Sequence, residues 1–167
     1  MRFPFLLLVL VCLLAVVWPS ASAQQREGSG RVYRRPLDHD PATLDPARVG
    51  DIYGRSVAQQ VFDGLVQFDE TLTITPALAQ FWKASRDGLT WTFTLRKGVK
   101  FHHGREVTAD DVVYSFTRVV DPATKSGAAD LFLAIRGAPE FRERKARQIA
   151  GLTAPDQIGR ASCRERV

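Results

Sequence analysis

Seven residues, Leu89 to Leu95 (LTWTFTL), constrain the fold more than any other stretch. Apolar residues and threonines alternate there without a break. A period of two predicts a β-strand with Leu89, Trp91, Phe93 and Leu95 on one face and the threonines on the other. Asp87-Gly88 before it and Lys97-Gly98 after it mark its limits. A strand with one apolar face needs a cover. A helix is predicted from Thr108, where Asp111 stands three residues on as a variant capping box. Two carboxylates, Asp110 and Asp111, suit the positive end of that helix. Val112, Val113, Phe116, Val119 and Val120 form its apolar stripe, and Asp121-Pro122 stops it. Trp82, Trp91 and Phe93 are expected to serve the core rather than a ligand platform.

The remaining elements mix strands and helices in an α/β order. Arg31 to Leu37 could be a first strand, with Pro36 at its end. HDPATLDPARVGD, His39 to Asp51, is dense in Asp and Pro and reads as a structured loop. Ile52, Val57, Val61, Phe62 and Leu65 predict a helix with Asp51 near its N-cap. Leu65 to Phe68 and Thr71 to Thr75 are expected to be extended around a turn at Asp69-Glu70. Pro76 is placed at a first helical position, with a strand running on toward Ser85. Arg86-Asp87-Gly88 is a tight turn, and Val99 to His102 is extended. A short helix is expected at Asp130 to Ile135 and a charged helical stretch at Phe141 to Ala150. There, Arg142-Glu143-Arg144-Lys145 reads as a solvated face. Gly151 to Asp156 reads as the approach to another strand.

The two ends differ from the body. Arg2, an apolar run from Phe3 to Trp18, and Ala21-Ser22-Ala23 make the three-part layout of a secretory signal, with cleavage expected after Ala23. The run is shorter than the roughly 20 residues of a membrane-spanning helix. Val11 before Cys12 does not suit a lipid anchor. Residues 1–23 are thus read as a signal peptide and 24–30 as a flexible lead-in, which implies a periplasmic protein. Ile158 to Val167 (IGRASCRERV) shows no apolar period, and one choice of codons for it reproduces a common sequencing adapter. The last ten residues, 158–167, are therefore expected to be a sequencing-adapter artefact, with 31–157 as the body of the chain. Setting both ends aside removes four basic residues and one acidic residue, and lowers the net charge from +5 to about +2. The basic balance then implies no nucleic-acid partner. Residues 24–157 hold no cysteine, which excludes a disulfide or a thiolate metal site within them.

Few residues suggest chemistry. His102 and His103 are adjacent, so in extended backbone they point to opposite faces and chelate poorly. With Asp110 they could be read as a secreted metal-dependent hydrolase, but three or four converging ligands are usual. No cofactor is expected, and no nucleophile elbow, phosphate loop or dinucleotide fingerprint occurs. Thr43, Leu44, Asp45 and Tyr53 follow the first predicted strand and precede the first helix. Ligands of open α/β sheets sit beyond the carboxyl ends of strands, which makes these four the candidate ligand-binding residues.

PALAQFW followed by DGLTWTFTLRKGVKFHHGREVTADDVVYSFTRVVDP strongly resembles the N-terminal part of the extracellular solute-binding proteins of family 5. IYGRSVAQQVFDGLVQFD and IRGAPEFRERKARQIAGLTAPD resemble the flanking segments. His103 stands where that family commonly has Asp or Asn. The resemblance implies an α/β periplasmic-binding-protein type II fold, of which this chain would hold part of the first lobe plus a small accessory domain. It implies a monomeric, non-enzymatic binding component of an ABC importer. Such a component takes a peptide or related small solute and delivers it to permease subunits in the inner membrane. A fragment of this kind is expected not to bind alone. The alternatives to this reading are the secreted metal-dependent hydrolase using His102 and His103, and a short self-contained interaction protein.

Overall fold

The predicted strand forms as β4, Thr90–Leu95, and it lies inside a four-stranded antiparallel sheet. The computed structural model describes residues 34–156 and 159–165. The signal peptide, its cleavage site at Ala23, the lead-in 24–30 and the start of the predicted first strand lie outside these residues. Residues 34–37 of that strand are not extended into any sheet. Pro36 has no N–H to give a ladder, and Arg34 and Arg35 are exposed.

The sheet order is β3-β4-β6-β5, with β3 at Ala79–Ala84, β5 at Leu152–Asp156 and β6 at Arg160–Arg164. Trp82 and Ala161 flank Phe93 from either side, and Thr92 meets Ser162 with their hydroxyl oxygens 3.0 Å apart. Both outer strands are irregular. β3 carries a bulge between Ala79 and Phe81, and β5 shifts register between Thr153 and Asp156, where Pro155 lies. A separate hairpin pairs β1, Val66–Phe68, with β2, Ile74–Pro76. Asp69 closes its turn by accepting the N–H groups of Thr71 and Thr73.

Two sequence expectations change here. Pro76 ends β2 rather than opening a helix, because Ala77 and Ala79 donate their N–H groups back to the Leu65 carbonyl. Residues 160–164, in the stretch read as adapter-derived and without an apolar period, pair as β6. Ala161 is buried, Cys163 is half-buried and Arg160 and Arg164 are exposed, so three small residues carry an alternation too weak to notice in sequence.

Helix α2, Ala109–Val120, covers the apolar face of the sheet. Its N-terminus is built as expected. Asp111 Oδ2 accepts the Thr108 N–H and hydroxyl, both at 2.8 Å, and the capping box forms. Arg105 adds a bidentate pair to the same carboxylate at 2.7 and 2.9 Å, and its guanidinium lies 4.8 Å from the centre of the Phe101 ring. The loop 97–107 is thereby fastened to the start of the helix. Arg105 and the Thr108 N–H hold the Asp111 carboxyl at about 2.

The core lies between α2 and the sheet. Leu95, Ala109 and Ala161 form one buried cluster with Leu65, Val112 and Ala154 packed against it. Val120, Ile135, Ala138, Phe141, Ile149 and Leu152 form the other, with Val113 and Phe116 on its edge. Trp91 stays more than a third exposed, so the face it shares with Phe93 and Leu95 is covered only in part.

The segment after α2 differs from expectation. The short helix at 130–135 is a 3-10 turn over Ala129–Phe132. The charged helix expected at 141–150 lies earlier and is short: α3 is Ala138–Arg142. Arg144 takes φ 63°, which ends the helix and turns the chain so that Ile149 can enter the core.

Replacing Asp111 by Asn should cost about 1–2 kcal/mol at pH 6, the worth of a cap plus a half-exposed ion pair. Asp111 has a depressed folded pKa, so its contribution is present above the unfolded value of 3.8 and is lost as pH falls through about 2. Urea melts of both proteins at pH 6 and pH 2 should show the gap closing in acid. Phe141→Ala empties a core position and should cost about 3–5 kcal/mol in the same melts.

Candidate ligand-binding loop

The Asp- and Pro-rich segment folds through its own side chains. Thr43 Oγ1 accepts the Asp45 N–H at 3.1 Å, and Asp45 Oδ1 accepts the Ala47 N–H at 3.0 Å. The Asp45 carbonyl takes the N–H groups of Arg48 and Val49, both at 2.9 Å. Asp51 then caps helix α1, Ile52–Val61, by accepting the Gly54 N–H at 2.7 Å. The helix stops at Val61, short of the expected Leu65, because Phe62 is already extended. Gly54 is required by space. A Cβ there would lie 2.9 Å from Val49 Cγ2 and 3.2 Å from the Thr43 carbonyl oxygen. The loop thus folds back on the first turn of α1.

All four candidate residues lie on this loop and helix start, in different states. The Thr43 hydroxyl holds the turn. The Tyr53 hydroxyl donates to Asp38 Oδ2 at 3.4 Å, and its ring meets His39 edge-on with centroids 5.6 Å apart. Leu44 is half-exposed. The Asp45 carboxylate is occupied: Arg118, from the last turn of α2, donates Nη1–H to Oδ1 at 2.7 Å and Nη2–H to Oδ2 at 2.5 Å. This pair holds the Asp45 carboxyl below its usual range and raises Arg118. Sequence reasoning missed Arg118, because its partner lies 73 residues away and nothing local marks it.

His102 and His103 sit on an exposed loop, with the His103 ring 5.5 Å from Phe101. Asp110 is exposed on the first turn of α2, and Asp111 is committed to Arg105 and Thr108. Among the described residues, no group of three or more His, Cys, Asp or Glu side chains converges. His102 instead helps line an open cavity of about 410 Å³ whose walls include Val61, Phe62, Leu65, Phe101 and Phe116.

Residues 73–157 match the family model described as bacterial extracellular solute-binding proteins, family 5 Middle. The chain is similar to the periplasmic murein peptide-binding protein MppA of Escherichia coli, at 41% identity over 125 residues. That match covers 75% of this chain and 22% of MppA. It is 48% identical over 96 residues to heme-binding protein A of Haemophilus influenzae, covering 53% of this chain and 17% of that one. The structure of Haemophilus influenzae OppA in complex with RPPGFSPFR superposes with a TM-score of 0.69 at 32% identity, covering 75% of this chain and 25% of that one. The chain thus spans about a fifth of the length of the curated relatives it matches. It belongs to the bacterial extracellular solute-binding proteins of family 5, and its α/β fold is part of the periplasmic-binding-protein type II architecture.

Proposed function

We propose that these residues are the N-terminal part of the substrate-binding component of an ABC importer, which captures peptides in the periplasm and passes them to membrane permease subunits. The observation that carries this reading is the family match over 73–157, together with relatives named for peptide binding. The apolar run and Ala21-Ser22-Ala23 support export through a cleaved signal peptide. Among the described residues no helix is long and apolar enough to cross a membrane. The protein acts as a monomer and catalyses nothing: its work is to close two lobes around a solute, a hinge motion biased by the ligand. Residues 43–45 and Tyr53 contribute to the ligand side of the first lobe. With the Asp45 carboxylate already paired, Leu44 supplies the free contact surface. The similarity to a heme-binding relative makes heme the ligand to test against peptides.

This chain alone, spanning so little of its relatives, should bind neither RPPGFSPFR nor trialanine detectably by calorimetry. The longer protein should bind one of them at micromolar affinity or better. Micromolar peptide binding by the isolated chain, or binding of hemin and no peptide by the longer protein, contradicts the proposal. In the longer protein, Leu44→Asp should weaken peptide binding about tenfold with an unchanged melting curve.

A further inference from the structure

Residues 37–62 are joined to the rest of the described chain by a single polar connection. Among the described residues the other hydrogen bonds of this segment close within it, among them Thr43 with Asp45, Asp45 with Ala47, Arg48 and Val49, Asp51 with Gly54 and Arg55, Tyr53 with Asp38, and Ser56 with Tyr53. Among the described residues, only the two bonds from Arg118 to Asp45 cross to the body. The segment's large apolar side chains Ile52, Val61 and Phe62 are all left about half or more exposed, and its buried residues are the small Ala47, Gly54 and Ala58. The open cavity of about 410 Å³ lies between Pro46, Val61 and Phe62 on one side and Phe101, Val112 and Phe116 on the other.

The two parts also differ in how they are held. The body is tied through paired strands and two buried clusters. The segment is ordered only by its own turns and cap, and a ten-residue helix such as α1 is marginal without support, so its hydrogen bonds open together once it leaves the body. A bidentate guanidinium–carboxylate pair fixes orientation as well as distance. A pair only about one-fifth to one-third exposed is worth more than a surface bridge, yet it can be broken locally.

We propose that the Asp45–Arg118 pair is the latch of a flap formed by the 43–51 loop and α1, and that Arg118 is the residue that positions this loop over the apolar cavity. Opening the latch frees the loop and α1 from α2 together and lets their amides open, while the sheet and α2 stay folded. The inference stands whether or not the loop touches ligand.

Amide hydrogen exchange on the full chain tests it. The reporters are Arg48 and Val49, whose N–H groups bond to the Asp45 carbonyl, and the α1 amides. Arg118→Ala should speed exchange of these amides about tenfold, as loss of a charge-assisted pair implies, and leave Trp91 to Leu95 and α2 unchanged. Arg118→Lys, which keeps the charge and loses the fork, should give a smaller increase. In the unaltered chain, 1 M salt should speed exchange in 48–61 alone, which keeps the test open if a variant fails to fold. Equal loss of protection across the sheet, or no change in 48–61, overturns the proposal.

Discussion

The contact between the apolar stripe of α2 and one face of the four-stranded sheet is the interaction on which the remaining architecture rests. Val112, Val113, Phe116 and Val120 on the helix meet Leu95, Ala161, Cys163 and Leu152 on the strands. Burial of this kind is non-directional, so it does not by itself choose a helix orientation. The choice is made at the ends of α2. Asp111, held by Thr108 and Arg105, ties the first turn to the loop 97–107. Arg118, one turn from the other end, reaches the loop before α1. The same helix is therefore the cover of the core and the mount for two loops.

This arrangement divides the molecule by kind of cohesion. Sheet, α2 and the Phe141 region cohere through buried apolar surface, which resists local opening. The segment ahead of them closes its turns, caps and Asx bonds within itself and is tied to the body by the Asp45–Arg118 pair. A local opening needs both kinds, since a rigid frame gives a movable part its reference position.

Legibility in the sequence followed the range of the interaction. The β4 strand was readable because LTWTFTL alternates within seven residues, and the α2 start because Thr108 and Asp111 are three apart. Asp51 at the cap of α1 was readable for the same reason. The candidate loop was found through its position, but the partner of Asp45 was not, because the bond to Arg118 exists only once the chain has folded. Residues 141–150 misled because Arg, Glu and Lys favour helices, whereas the left-handed Arg144 and the burial of Ile149 decide the path. β6 was invisible because two flanking strands, rather than its own alternation, specify it.

The irregular outer strands carry a consequence for life in a crowded compartment. A sheet of four strands ends in two rows of unused backbone groups, and a regular row would template a strand from a neighbouring molecule. The bulge between Ala79 and Phe81 puts an incoming strand out of phase on one side. The register shift before Asp156, and Pro155 with no N–H to offer, do the same on the other. Both outer strands of the described sheet are therefore poor templates for a strand from another copy, which lowers the risk of aggregation while the chain folds among its copies.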